Sequence, residues 1–223
     1  MTMEPEILRR HGWLSGRTPE MQARILEGGR LRSFAPGETV YRVGDTSEGL
    51  YGLARGNVTI AIPNTIGSEH TIYQATPGFW IGDLALFSKQ RRLVTVLAVS
   101  EVEVYFIPQP KLAALVRDEP GMLREFYALS HVNMELQLNI LANLSIPNSE
   151  KRIAAFLLYS NSVQAEPGAW LETPQDRLAT MTALSLPTVQ RLVKRLASLG
   201  LIEIGYGRIR VQDAEALARH AAE

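Results

Sequence analysis

The segment that decides the fold is TPQDRLATMTALSLPTVQRLVKRLASLGLIEIGYGRIRVQ, residues 173–212. It opens with Thr173 and a proline, a pair typical of a helix N-cap and the first helical residue. After a short turn, Ser185 is predicted to cap a second helix over residues 186–199. Two β-type runs joined by GYGR, residues 205–208, then predict a tight hairpin. Helix, turn, helix and hairpin together indicate a winged helix-turn-helix.

The second helix of this segment has two chemically different faces. Its apolar side chains recur at the helical period, and we expect them to face inward: Val189, Leu192, Val193, Leu196 and Leu199. A helix fits the DNA major groove, where polar side chains reach base edges and phosphates. We therefore expect base contacts from Gln190 and Arg191. Phosphate contacts are expected from hydroxyl and basic side chains, namely Ser185, Thr188, Lys194, Arg195 and, on the hairpin, Arg208 and Arg210.

The distribution of charge agrees with a nucleic-acid partner. The chain is neutral overall, with 23 basic and 23 acidic residues. Residues 191–210, however, carry five basic side chains against Glu203 alone. A solvated helix face would explain these charges equally well, and a three-helix packing module could lack DNA binding altogether. These charges are grouped on the second helix and the hairpin. The grouping favours DNA binding, because packing of the helices alone does not require basic residues to be grouped.

Composition excludes several other classes. The chain has no cysteine, so disulfides and cysteine-ligated metal or iron–sulfur centres are excluded. Its apolar runs are far shorter than the roughly 18 residues of a membrane span, and its first residues lack a signal-peptide core, so we expect a soluble cytoplasmic protein. No hydrolase, nucleotide-binding or zinc-protease motif occurs, and we expect no enzyme activity, no cofactor and no metal.

The first half of the chain has a different texture. After short helical patches, one capped by Thr18, six β-type runs follow from residue 31 with glycines at the presumed corners: ETVYRV, LYGLA, NVTIAI, HTIYQA, LVTVLAV and EVEVYFI. Such spacing predicts a β-roll or jelly-roll barrel over residues 1–119. The apolar run GFWIGDLALF, residues 78–87, interrupts it.

A long helix is predicted over residues 120–144. Tyr127, Met134 and Leu141 recur every seven residues, with Ser130 among the positions between them. This spacing is typical of a coiled-coil seam and predicts a homodimer. The alternative is one amphipathic helix packed on its own domain. Ser149 is then predicted to cap a further helix that begins the C-terminal domain, residues 145–223.

The order of these parts resembles the Crp/Fnr superfamily of bacterial transcription regulators. The resemblance runs from about residue 31 to 212 and rests on PGETVYRVGD, ARGNVTI, GDLALF, the long helix and LATMTALSLPTVQRLVKRLASLGLI. It implies an α+β chain with an N-terminal cyclic-nucleotide-binding-type β-roll, a dimerisation helix and a C-terminal winged helix-turn-helix. It also implies binding of a dimer to a pseudo-palindromic double-stranded DNA site, and contact with RNA polymerase.

The resemblance places an effector pocket at the phosphate-binding cassette. In cyclic-nucleotide-binding relatives the cassette holds the ribose with a glutamate and the phosphate with an arginine and a neighbouring hydroxyl. The corresponding residues here are Gly82, Asp83, Leu84, Ala85, Arg92 and Leu93, with Gln137 and Leu138 expected opposite them. Asp83 is shorter than glutamate and Leu93 cannot donate a hydrogen bond, so the cassette is expected to be degraded. We therefore expect DNA binding by the protein not to depend on cyclic AMP or cyclic GMP. The effector stays unidentified.

The recognition helix also departs from the family pattern. Ser185, Thr188 and Arg191 match it, whereas Leu186 and Pro187 stand where arginine and glutamate often read bases. The resemblance thus implies a different base preference. Two alternatives remain: His131 on the long helix could bind haem, as in some gas-sensing relatives, and the chain could act on a protein partner without binding DNA.

Overall fold

The structure is a computed structural model that describes residues 6–63, 69–163 and 168–222. The chain divides into two compact units, Met1–Leu136 and Gln137–Glu223. The boundary falls inside one continuous helix, so the predicted dimer helix contributes residues to both units. The dipeptide at residues 167–168, Pro-Gly, predicts a turn, but Pro167 lies outside the described residues.

Helices frame a β-roll in the first unit and dominate the second. The α-helices are α1 (Glu6–Arg10), α2 (Pro19–Leu26), α3 (Asp83–Ser88), α4 (Gln109–Asp118), α5 (Met122–Leu144), α6 (Ser149–Ser162), α7 (Gln175–Thr182), α8 (Leu186–Ser198) and α9 (Ala214–Ala222), with a 3-10 helix at Trp13–Gly16. The strands are β1 (Arg30–Phe34), β2 (Thr39–Tyr41), β3 (Gly49–Arg55), β4 (Val58–Pro63), β5 (Glu69–Ala75), β6 (Trp80–Ile81), β7 (Thr95–Ala98), β8 (Val102–Pro108), β9 (Ile202–Gly205) and β10 (Arg208–Val211).

The predicted roll consists of two antiparallel four-stranded sheets within the described residues. Their strand orders are β1-β8-β3-β6 and β2-β7-β4-β5. Side chains from both sheets, including Tyr51, Val96 and Phe106, share one buried core. Two facing sheets that enclose a common core confirm the predicted β-roll.

Glycines within β3 serve packing and not corners, contrary to the sequence expectation. A Cβ on Gly52 would lie 2.8 Å from the Trp80 ring and 2.9 Å from Leu8. Trp80 itself is 1% exposed and belongs to a second core that the N-terminal helices and α5 complete. Trp13 joins this core edge-on to Trp80, with ring centroids 5.7 Å apart. The close approach of an indole ring therefore explains why Gly52 carries no side chain.

The second unit is a winged helix-turn-helix, as predicted. The buried residues of α8 pack with those of α6 and α7 in one core. Ser185 accepts a hydrogen bond from the Thr188 amide at the start of α8, which confirms the predicted cap. Strands β9 and β10 form the wing, closed by the pair Gly205 and Arg208. Leu171 adds a third segment through two backbone hydrogen bonds to Ile209.

Three local predictions are wrong. Asn148, and not Ser149, caps α6 by accepting from the amides of two first-turn residues. Thr173 is buried before α7, and the following proline takes the N-cap position without a side-chain bond. Leu199 is 53% exposed, because α8 ends at the residue before it.

Candidate DNA interface and effector pocket

Helix α8 has an exposed polar face and a buried apolar face. Gln190, Arg191 and Lys194 are exposed, whereas Val189 and Val193 between them are fully buried. A helix held along its inner face keeps its outer side chains at fixed positions, which reading of base edges requires. The structure thus brings together on one exposed face three of the residues predicted for base and phosphate contacts.

The start of α8 is ordered by its own hydroxyl groups. The Oγ atom of Ser185 lies 2.8 Å from Oγ1 of Thr188. Ser185 is exposed and Thr188 half-buried. Hydroxyl and amide groups at a helix N-terminus are suited to phosphate oxygens, because the helix dipole favours negative charge there. Both residues therefore lie at the N-terminal end of α8, and their contact with phosphates stays a prediction.

Arg195 differs from its neighbours because it already has an acidic partner. Its Nε atom lies 3.3 Å from Oε2 of Glu150, a carboxylate with a side chain only 11% exposed. The other oxygen of Glu150 lies 2.7 Å from Nε2 of His220 on α9. One acid in the first turn of α6 thus joins α8 and α9. This cluster was not predicted, since its members are far apart in the chain.

The helix-turn-helix is anchored by a second residue that sequence reasoning missed. The Arg152 guanidinium donates to the carbonyl of Thr182, the last residue of α7, at 3.0 Å. It also donates twice to the carbonyl of Ile146. Ala183 follows in a left-handed conformation with φ of 51°, which turns the chain toward α8. The bond to Thr182 satisfies a carbonyl that the end of α7 leaves without a partner within the helix.

The two arginine side chains of the wing form cation–π contacts with a tryptophan ring. Arg208 and Arg210 lie over the Trp170 ring, 4.5 Å and 4.9 Å from its centroid. Arg210 also forms an ion pair with Glu203 on the neighbouring strand. For Arg208, the described residues include no carboxylate within ion-pair distance, so its charge is available to a phosphate. Trp170 was not predicted, because its role depends on the wing folding back over it.

In the first unit, the cassette carboxylate is used internally. Gly82 has φ of 108° and precedes α3, and Asp83 is 3% exposed. The Asp83 carboxylate accepts from Ser130 Oγ at 2.6 Å and from Asn133 Nδ2 at 2.9 Å, both on α5. Ser130, predicted as a seam position, faces the cassette instead. Asp83 therefore links the cassette to the long helix.

Arg92 is likewise bound by the protein itself. It is 3% exposed and donates to the carbonyls of Gly82 at 2.9 Å and Gly49 at 2.8 Å. Its guanidinium also lies over the Tyr41 ring, 4.3 Å from the centroid. Burial raises the pKa of the Tyr41 hydroxyl well above its usual range, although the positive charge of Arg92 opposes the shift. Burial also raises the pKa of Tyr51, against the same opposing charge.

A polar pocket of about 410 Å³ opens beside Arg92. Acidic and basic side chains both line it, namely Asp45, Glu48, Arg91 and Arg92. The other lining residues are Val40, Tyr41, Gly44, Thr46 and Tyr51. Of the predicted effector residues, only Arg92 lines it.

The other predicted effector residues lie elsewhere. Ala85 is buried, while Leu84 and Leu93 are 41% and 64% exposed. Leu93 thus points to solvent and not into this pocket. Gln137 and Leu138 are exposed in the second unit.

The long helix leaves large apolar side chains uncovered. Tyr127 is 76% exposed, Met134 46% and Leu141 63%. The buried residues of the helix, including Phe126 and Leu129, face the roll. Such uncovered residues at seven-residue spacing are what a helix-to-helix seam would need.

Other site types find no support among the described residues. His131 is exposed on α5, with no cluster of acidic or imidazole groups able to hold a metal ion in the described ranges. No helix in the described part of the chain is long and apolar enough to cross a membrane.

Comparisons with known proteins agree with both halves of the chain. A family described as cyclic nucleotide-binding domain matches residues 31–119, and one described as Crp-like helix-turn-helix domain matches residues 151–220.

The relatives extend over nearly the whole length. The cyclic AMP receptor protein of Thermus thermophilus is 26% identical over 91% of this chain and 93% of its own. A CRP-like cAMP-activated global transcriptional regulator of Mycobacterium tuberculosis is 24% identical, over 97% and 99%. The solved structure of FixK2 from Bradyrhizobium japonicum superposes with a TM-score of 0.73 at 18% identity, over 86% and 96%, and so shows a shared fold. An N-terminal cyclic-nucleotide-binding-type domain and a C-terminal Crp-like helix-turn-helix, found in this order, place the chain in the Crp/Fnr superfamily of transcription regulators.

Proposed function

We propose that this regulator binds a specific pseudo-palindromic DNA site as a homodimer and controls transcription without cyclic AMP or cyclic GMP. The observation that carries the proposal is the exposed face of α8, where Gln190, Arg191 and Lys194 project from a helix whose opposite face is buried. Gln190 and Arg191 would read base edges. Lys194, Ser185, Thr188, Arg195 and Arg208 would contact phosphates.

Dimerisation is supported by the uncovered face of α5. Covering Tyr127, Met134 and Leu141 would remove apolar surface from water at about 25 cal/mol per Å². A two-fold axis along such a seam would present two copies of α8 to half-sites about 34 Å apart, one turn of the duplex. The regulator would act in the cytoplasm through RNA polymerase, and no catalytic role is proposed.

Independence of cyclic nucleotides is supported by the contacts inside the cassette. A bound cyclic phosphate would compete with the Gly49 and Gly82 carbonyls for Arg92, and its ribose would compete with Ser130 and Asn133 for Asp83. Each charged hydrogen bond given up costs about 1.5–3 kcal/mol. Leu93 offers no donor in return. The effector, if one is used, is therefore of another class.

Selection of bound duplexes from a random pool tests the DNA-binding proposal. On the selected site, Arg191→Ala should lose about 1–3 kcal/mol per half-site and relax the preference at one base pair in each half-site. Lys194→Ala should weaken all sequences alike and lower the salt slope by about two, one for each protomer of the dimer. Arg117→Ala, an exposed cation on α4, serves as the control. Unchanged affinity and base preference in Arg191→Ala would contradict the chosen face.

Titration calorimetry tests the effector proposal separately. We expect no heat of binding for cyclic AMP or cyclic GMP at micromolar concentrations, and no change in affinity for the selected duplex. A low-micromolar constant together with tighter DNA binding would refute independence. If the protein selects no duplex under any condition, the alternative of a sensor acting on a protein partner gains support.

A further inference from the structure

The tip of the wing carries an aromatic side chain that the fold does not use. Tyr206 occupies the two-residue turn between β9 and β10 and is fully exposed. The Gly207 that follows has a φ of 67°, which lets the turn close tightly around it. A tyrosine with no intramolecular cover presents both an apolar ring and a hydroxyl to whatever lies beyond the wing.

The wing holds this side chain on a rigid base. Ile202, Ile209 and Val211 are buried beneath the hairpin. Leu171 exchanges backbone hydrogen bonds of 2.7 Å and 3.0 Å with Ile209, so the hairpin is fastened along its middle. A recognition group on a fixed element loses little freedom on binding. The position of Tyr206 therefore suits contact with a structured partner.

Charge at the tip indicates which partner fits. Arg208, two residues from Tyr206, lies over Trp170 and has no acidic partner among the described residues. The charge of Arg210 is by contrast met by Glu203. A cation beside an exposed aromatic ring suits nucleic acid, which supplies phosphates together with sugar and base edges. The same unit carries the exposed basic face of α8.

We propose that Tyr206 inserts into the minor groove that flanks the site of α8, with Arg208 on the adjoining phosphates, so that the wing reads flanking sequence. This inference rests on the proposed DNA binding. Beside a helix in the major groove, a duplex presents first a phosphate strand and then a minor groove. That groove is about 6 Å wide, which admits single side chains but not a two-stranded ribbon. Runs of A·T pairs narrow it and deepen its negative potential, so A·T-rich flanks should bind more tightly.

A double-mutant cycle between protein and DNA tests the proposal. The selected duplex is compared with one whose flanks are changed from A·T to G·C pairs outside the half-sites, for wild type and Tyr206→Ala. Wild type should lose about tenfold in affinity on the G·C flanks, because the guanine amino group obstructs the groove. Tyr206→Ala should bind the duplex with A·T flanks about tenfold more weakly than wild type does. On the duplex with G·C flanks, it should bind as wild type does. Replacing guanine by inosine in the changed flanks removes the amino group and should restore the affinity of the wild-type protein.

A matched control and a second variant keep the test decisive. Ile204→Ser changes an exposed side chain on the same hairpin and should bind both duplexes as wild type does. Tyr206→Phe should keep most of the flank preference if the ring is the reading group.

Other results would overturn the inference. Equal losses for Tyr206→Ala on both duplexes, or no loss on either, would overturn it. A Tyr206→Ala variant that binds DNA normally yet fails to regulate transcription would also overturn it, because that result would assign Tyr206 to a protein contact. A wild-type protein that binds no duplex would instead refute the proposed function.

Discussion

Replacing Asn133 by alanine should destabilise the first unit through the cassette. Asn133 is 7% exposed, and its amide donates to the Asp83 carboxylate at 2.9 Å and to the Trp80 carbonyl at 3.2 Å. A hydrogen bond to a buried charge contributes about 1.5–3 kcal/mol and one to a carbonyl about 0.5–1.5 kcal/mol. Ser130 would remain as a donor to Asp83. We therefore expect a loss of about 2–4 kcal/mol in the free energy of unfolding.

Urea unfolding followed by tryptophan fluorescence measures this loss. The chain has three tryptophans, of which Trp13 and Trp80 lie in the first unit and Trp170 in the second. In a Trp170→Phe background the signal comes from the first unit alone, so that unit's transition is resolved from the other. Trp80 lies next to the altered contact and reports it directly.

Two comparisons separate the hydrogen bonds from general damage to the helix. His131→Ala, an exposed change two residues away on α5, should leave the transition within about 0.5 kcal/mol of its starting value. In an Asp83→Asn background, Asn133→Ala should cost clearly less, because no buried charge then loses a donor. The reasoning is refuted if Asn133→Ala matches His131→Ala, or if its cost is the same with and without the Asp83 carboxylate.

The long helix, the cassette glycine and a buried tyrosine each give a further expectation. Replacing Met134 and Leu141 together by glutamate would place like charges along the proposed seam and should yield monomers by light scattering; a variant that stays dimeric would place the interface elsewhere. Gly82→Ala introduces a side chain at φ of 108°, within 2.5 Å of a guanidinium nitrogen, and should lower the free energy of unfolding by about 1–3 kcal/mol. Gly121→Ala, with nothing within 4 Å, is its control, and equal effects of the two changes would contradict the argument. Because burial raises the pKa of Tyr41 above its ordinary value of 10.0, the unfolded chain loses this proton first as pH rises. Stability should then fall above pH 10 by up to about 1.4 kcal/mol per pH unit, and Tyr41→Phe should reduce the slope; an unchanged slope would exclude this group as the cause.

The C-terminal fold could be predicted from sequence because its signals are local. The Ser185 cap, the buried spacing of α8 and the glycine-containing turn of the wing each depend on residues within a few positions of one another. Capping was predicted less well at Thr173, where the hydroxyl and the proline both occur but the helix begins after them. Sequence shows that a boundary exists more reliably than where it falls.

The candidate effector site could be predicted only in part, because its contacts are distant in sequence. Arg92 contacts Gly82 of the cassette, 10 residues away, but its other carbonyl partner, Gly49, lies 43 residues away. The partners of Asp83 on α5 lie 47 and 50 residues away. Nothing in the cassette sequence shows that these groups satisfy one another. Leu93 was assigned to the pocket from its position in the family's cassette motif, and a motif gives the residue type but not the direction of the side chain.

The contact between Arg195 and Glu150 bears on how the ionic strength dependence of DNA binding should be interpreted. Binding to phosphates releases condensed counterions, and the slope of affinity against salt counts the cations that replace them. Arg195 carries its own counterion in the protein, since the Glu150 carboxylate lies 3.3 Å away. If it turned toward a phosphate, the gain would be offset by the Glu150 carboxylate, which would keep His220 as its partner among the described residues. Arg195 should thus contribute less to the salt slope than Lys194, although both are exposed cations of α8.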